Sequence, residues 1–220
     1  MSKTFRAYDL NQLLLLPPDL RQWLPGGHLA LYVSDVVDAL DLSAIMSSYE
    51  EGDLRGRPPY HPAMMVKLLI YGYCVGKMSS RKIERATYDD VGFRVLSGNQ
   101  QPDHDSIAEF RKRQLQELGQ LFVQVLQLCQ RAGLVKPMVT PSDGSVRAEM
   151  WQKLKSPPGR ALYNRRKVIV EPVFAHIKHL RGFRQLLLRG LEKVEAEWLL
   201  ICLTHNLLKL FRVSKPLPAS

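Results

Sequence analysis

Cysteine is scarce, three in 220 residues, and Cys74, Cys129 and Cys202 stand alone inside apolar stretches with no CxxC spacing. The chain therefore reads as a reduced, cytoplasmic protein. Long hydrophobic runs are also missing. The longest, Ala63 to Val75, is interrupted by Lys67 and falls short of the roughly 20 residues that span a bilayer, so no membrane partner is expected. The start, Met1-Ser2-Lys3-Thr4-Phe5, has no apolar segment behind its charge and does not read as a secretory leader. There is no Gly-rich phosphate loop, no nucleophile elbow and no repeat array. Alternating strand patterns are nearly absent, Phe183 to Leu188 being the one candidate, and the chain is expected to be mainly α.

What is present is positive charge, unevenly placed. Thirty-one Lys and Arg against 21 Asp and Glu give a net +10 and invite a polyanionic partner. Residues 1–136 carry 16 basic and 15 acidic residues, whereas 137–220 carry 15 basic and 6 acidic, so nearly all of the excess lies in the second part. The stretch PMVTPSDGSV, 137–146, is the clearest boundary, with two prolines, a Ser-Asp-Gly turn and no periodicity. It divides an N-terminal helical unit, 1–136, from C-terminal helices, 147–213, and a tail at 214–220 expected to be disordered.

Along the first unit, amphipathic segments run from about His28 to Leu40 and from Leu42 to Tyr49, and Gly56-Arg57-Pro58-Pro59 reads as a turn. Pro62 opens a helix to about Val75 that is apolar around most of its circumference and should be central. Gly76-Lys77-Met78-Ser79 breaks it, and Ser80 is a candidate cap for a short helix, Arg81 to about Tyr88, carrying Ile83 and Ala86 inward. That is a helix-turn-helix outline whose outer face shows Arg81, Lys82 and Arg85; it suits DNA, and it suits a solvated helix equally. Past Pro102-Asp103, one long helix capped by Asp105 or Ser106 is expected to reach Gly133, with Arg111, Lys112 and Arg113 exposed in its first turns.

In the second unit, polar helix 147–155 is followed by a break at Ser156-Pro157-Pro158-Gly159, a helix from Arg160 to about Leu180, and an amphipathic helix from Leu191 to Phe211. On a helical wheel, Lys167, Glu171 and Lys178 lie at about 40°, 80° and 60° from Tyr163, on one stripe. A carboxylate flanked by cations suits metal-dependent phosphoryl transfer, Glu171 holding Mg²⁺ and the cations holding phosphates. An exposed Lys167–Glu171 ion pair, worth a few tenths of a kcal/mol, accounts for the same spacing. His176 and His179 stand i,i+3 with no further Cys or His nearby to complete a metal site, His104 reads as turn and cap chemistry, and His205 and Asn206 as groups inside the final apolar helix.

The stretch RALYNRRKVIVEPVFAHIKHLRGFRQLLLRGLEKVEAEWLLICLTHNLLKLFR resembles the C-terminal end of bacterial insertion-sequence DDE transposases, with their Tyr, basic, Glu and Lys signature. LLLLPPDLRQWLP, GRPPYHPAMMVKLLIYGYCVGKMSSRKIERA and PDHDSIAEFRKR resemble the N-terminal helical domain of one subfamily. The resemblance implies an enzyme that cuts DNA at transposon ends and joins them to a target, with an Asp, Asp, Glu set around two Mg²⁺ in an RNase H-like fold. It places the family's glutamate on Glu171, its tyrosine on Tyr163, its lysine on Lys178 and its basic position on Lys167 or Arg166. The helix-turn-helix outline, the basic first turns of the long helix and the basic second part make Arg81, Lys82, Arg85, Arg111, Lys112, Arg113, Arg165, Arg166, Arg181 and Arg184 the candidate DNA contacts. The two aspartates have no counterpart: Asp143 is the only acid near the first position, in a turn with no strand ahead of it, and the second has no room.

Two metals about 4 Å apart require several carboxylate oxygens. The expectation is an internally deleted, catalytically defective transposase: a helical N-terminal domain joined to helices left from an RNase H-like catalytic domain. Such a chain binds DNA, resides at the nucleoid and associates with itself or with full-length transposase, and binds no Mg²⁺ of its own. The alternative is an active enzyme whose missing carboxylates come from Asp143 or a second chain. A deletion also predicts a loosely packed joint and an apolar stripe, Leu187, Leu191, Val194, Trp198, Ile201 and Leu208, that has lost its sheet.

Overall fold

The computed structural model describes residues 20–50, 58–134, 155–165 and 171–214. A 3₁₀ turn, Leu20–Trp23, precedes α1 (Leu29–Ala39), α2 (Ser43–Glu50), α3 (Pro62–Cys74), α4 (Ser80–Asp89), α5 (Val91–Leu96), α6 (His104–Arg113) and α7 (Leu115–Arg131). Then come α8 (Pro157–Asn164), α9 (Glu171–Ala175), a π-helical segment (His176–Leu180) and α10 (Leu191–Ser214). The fold is mainly α, with no strand among the described residues; Phe183 to Leu188, the one strand candidate, is irregular chain.

Helix α3 is buried on nearly every face, because Met64, Met65, Val66, Leu68, Leu69, Ile70, Tyr73 and Cys74 surround its axis and α1, α5, α6 and α10 surround them. Lys67 is inside too, 1% exposed, and its ammonium is held 2.7 Å from Asp38 on α1, where a buried cation needs a counter-charge. The helix starts at Pro62, whose missing N–H costs nothing there, with His61 accepting from the Ala63 amide. It ends at Gly76 (φ +77°): the Lys77 amide donates to Gly72 O and the Gly76 amide to Tyr73 O, the paired bonds of a Schellman stop. A methyl group on Gly76 would meet the carbonyl oxygen of Arg181 at 2.8 Å, so glycine serves both the turn and the close approach of the C-terminal segment.

Several boundaries differ from the sequence reading for physical reasons. The cap of α4 is Ser79, not Ser80, its hydroxyl accepting from the Lys82 amide. Asp103 caps α6 through the Ser106 amide, a bond that holds its carboxyl below the usual range. The expected single helix to Gly133 is two, because Gln114 is drawn fully inside and its amide donates to Ser48 Oγ on α2, distorting the backbone between α6 and α7. Helix α5 was not expected; Asp90 creates it by accepting from the Gly92 and Phe93 amides. The expected break at Ser156-Pro157-Pro158-Gly159 is instead the start of α8, with Ser156 Oγ accepting from the Gly159 amide.

The C-terminal helices do not stand apart from the N-terminal ones. Leu200, Ile201, Leu203 and Leu207 of α10 lie in one core with Leu118, Leu121, Val125 and Cys129 of α7 and with α3, and Ile177 and Phe183 join it. The buried face of α10 is rotated from the expected stripe: Glu197, Leu200, Ile201, Leu203, Thr204 and Leu207 face in, whereas Leu191 is 85% exposed and Leu187 and Trp198 are also exposed. Helix α10 continues to Ser214. The joint expected at 137–146, the polar helix expected at 147–155 except for Lys155, and residues 215–220 lie outside the described residues.

Candidate nucleic-acid interface and the glutamate helix

Helix α4 is amphipathic in the expected sense. Ile83, Ala86 and Thr87 are buried and Arg81, Lys82 and Arg85 are exposed. Arg85 makes an i,i+4 contact of 3.4 Å to Asp89, both well exposed and worth a few tenths of a kcal/mol. Lys77 pairs with Asp90 at 2.8 Å, and Glu84 lies 2.9 Å from the His104 ring, so the acids of this region are engaged. The side chains of Arg81 and Lys82 have no ion pair or hydrogen bond among the described residues. On α6, Lys112 and Arg113 are likewise exposed.

Arg111 and Arg181, both candidate DNA contacts, are interior. Arg111 is 7% exposed, and its Nη1 donates to Tyr73 Oη (3.3 Å) and Met78 O (3.0 Å), tying α6 to the end of α3 and the turn before α4. Arg181 is 5% exposed; its Nη2 donates to Tyr73 O (2.8 Å) and to Thr204 Oγ1, and its Nη1 to Ile201 O. Its guanidinium lies over Phe183, 4.7 Å from the ring centroid. Burial lowers its pKa, and no carboxylate pairs with it among the described residues. These two arginines are withdrawn from the surface and are removed from the set of candidate DNA contacts.

A fourth buried charge, after Lys67, Arg111 and Arg181, was not anticipated. Glu197, 1% exposed, accepts from Tyr73 Oη (3.3 Å) with one oxygen and from the Leu187 and Leu188 amides (2.8 and 3.0 Å) with the other. Tyr73 thus joins α6 to α10, and burial pushes its hydroxyl up to about 12. Spacing carried the signal. Arg111 falls four residues after Ile107 and seven before Leu118, and Glu197 three before Leu200 and seven before Thr204, on the stripes that turn inward.

Glu171 is the first residue of α9 and is exposed. Lys178 is also exposed, but it lies in the π segment, closed by the i→i+5 bond from the Arg181 amide to His176 O. A π turn advances each residue by less than an α turn, so the wheel that aligned Lys178 with Glu171 loses register past His176. Arg165 and Arg184 are exposed. Arg166, Lys167 and Asp143, and the side chain of Tyr163, lie outside the described residues.

Among the described residues no three His, Cys, Asp or Glu side chains are grouped closely enough to hold a metal ion. Glu171 therefore belongs to no such group, and the described residues do not by themselves supply the carboxylates of a two-metal centre. His176 faces His205, ring centroids 5.5 Å apart, and lies 3.2 Å from Arg212, while His179 points to solvent. Burial and the neighbouring cations depress both inner rings, His205 to about 4, so that pair is a neutral internal contact. The thiols of Cys74, Cys129 and Cys202 are all pushed up by burial, Cys74 to about 12, which removes them as nucleophiles.

Two clefts flank the segment 181–190. One, about 260 Å³, is lined by Phe174, Lys178 and Trp198 among others, with the Phe174 and Trp198 rings stacked at 5.9 Å. The other, about 340 Å³, lies between the start of α4 and the chain after Arg181 and is lined by Lys82 and Arg184. No described helix is long and apolar enough to cross a membrane.

Comparison with known families accounts for both parts of the chain. The family model described as Transposase domain (DUF772) matches residues 18–113, and that described as Transposase DDE domain matches residues 125–211. No curated protein and no solved structure matches the chain. The two matches follow one another in the order the sequence motifs suggested, and the chain belongs to the DDE transposases of insertion sequences.

Proposed function

We propose that this chain is a DNA-binding transposase remnant: it occupies transposon ends, alone or with intact transposase, and does not cut or join DNA. The observation that carries this reading is the pairing of free surface cations with a solitary acid. Arg81, Lys82, Lys112, Arg113, Arg165, Lys178 and Arg184 are exposed, whereas Glu171 stands exposed on α9 outside any described group of three His, Cys, Asp or Glu side chains. In-line phosphoryl transfer on DNA requires convergent, preorganised carboxylates around its metals. Asp143, 28 residues before Glu171 in a Pro/Ser/Gly turn sequence, has no strand pattern ahead of it to fix its position.

The deletion reading accompanies this. Helices of the catalytic domain have kept their motif residues and lost the segment that carried two aspartates, near 137–146, between an N-terminal unit ending at about 136 and a C-terminal unit at 147–213. Its cellular place is the nucleoid. The test is binding to a labelled duplex across ionic strength. Contacts dominated by phosphate give log K falling linearly with log salt, and several contacts give a loss of orders of magnitude between 50 and 200 mM salt. A flat dependence contradicts the reading.

A further inference from the structure

We propose that the cleft between α4 and the segment after Arg181 seats one phosphodiester of the DNA backbone, held jointly by Lys82 and Arg184. The inference deepens the DNA-binding reading and rests on it. The cleft, about 340 Å³, is lined by Met78, Ser79 and Lys82 on one side and by Gly182, Arg184, Gln185 and Leu187 on the other. Among the described residues, Lys82 and Arg184 are its only charged lining residues, and both are cations. Neither side chain has an ion pair or hydrogen bond among the described residues, although Lys77, Arg85 and Arg94 nearby each engage a partner. Two free cations lining one cleft with no acid among its described lining residues leave an uncompensated positive potential, which an anion relieves.

Both walls are fixed from beneath by the buried polar network. On the α4 side, the Met78 carbonyl accepts from Arg111. On the other, the amides of Leu187 and Leu188 are held by Glu197, and Arg181 anchors the start of the segment to Tyr73 O and Thr204. The Arg181 carbonyl packs where a Gly76 side chain would be, which brings the two walls together. The interior arginines and Glu197 therefore position the surface cations. Lys82 belongs to the part matched as Transposase domain and Arg184 to the part matched as DDE domain, so the two parts act on DNA as one surface.

The test uses the full chain and a labelled 30-base-pair duplex, with binding measured by fluorescence anisotropy from 50 to 300 mM salt. Relative to the unaltered chain, the Lys82→Gln/Arg184→Gln double variant lowers the slope of log K against log salt by about 1 and weakens binding roughly tenfold at fixed salt. Both side chains are exposed and unpaired, so its circular dichroism and Tm remain those of the unaltered chain, and Lys82→Arg/Arg184→Lys restores the slope. A slope lower by about 2 means two separate phosphate contacts and overturns the shared site; an unchanged slope overturns the site altogether. Displacement of the duplex by inorganic phosphate, beyond that by chloride at equal ionic strength, would assign the cleft to free phosphate instead. If the unaltered chain shows no salt-dependent binding, it is the DNA-binding reading that fails.

Discussion

Helices α3 and α10 are both long and apolar, and they are completed differently. Helix α3 is enclosed by α1, α5, α6 and α10, and even its lysine is paired inside. Helix α10 buries one stripe against α7 and α3 and leaves Leu191, Trp198 and Val213 in solvent. The difference separates a region that closes on itself from one that closes on a single side. A shared core nevertheless joins the helices on either side of 137–146, because the inward stripe of α10 packs against α7.

The comparison breaks first in the core. Leu203→Ala or Leu207→Ala, fully buried in α10, should cost about 2–5 kcal/mol in urea unfolding, whereas Leu191→Ser should change stability by less than about 0.5 kcal/mol. Equal losses would mean that the outer face of α10 is covered. The two arginines three residues apart give a smaller and sharper contrast. Arg181→Ala leaves Tyr73 O and Thr204 Oγ1 without their buried donor and should destabilise by about 1–3 kcal/mol, while Arg184→Ala should leave Tm unchanged and weaken DNA binding.

Much of the first region was legible because several of its helices carry their own signals: Pro62 and Gly76 for α3, an apolar stripe for α1, a serine beside the start of α4. What sequence could not give is which side of an amphipathic helix meets which neighbour. The spacing of Arg111 and Glu197 puts them on inward stripes, but what makes an interior charge tolerable there, and at Arg181, is Tyr73 from another helix, which offers its hydroxyl and carbonyl between them. The break at Gln114 escaped for the same reason, its partner being Ser48 on a distant segment. For the glutamate helix, sequence gave the motif, but the π turn that displaces Lys178 leaves no periodic trace.

A smaller effect concerns pH. His205 has its folded pKa depressed to about 4 from 6.5, with His176 and His61 depressed in the same sense. The unfolded chain therefore binds more protons below neutrality, so the stabilisation is complete above about pH 6.5 and is lost as pH falls towards 4. Thermal unfolding at pH 7, 6 and 5 should show a falling Tm, and His205→Leu should flatten the fall, since both of its ring nitrogens are buried without a partner among the described residues. An equally steep fall in that variant would move the titration to other groups.

The central claim, a transposase chain that holds DNA without cutting it, is tested most directly by cleavage and strand transfer on supercoiled plasmid bearing the element's own ends, with Mg²⁺ or Mn²⁺, beside a Glu171→Ala control. The account predicts a bound, uncut plasmid with both proteins. Metal-dependent product that disappears in the control would contradict it, and would show that Asp143 or a second chain completes the carboxylate set around Glu171.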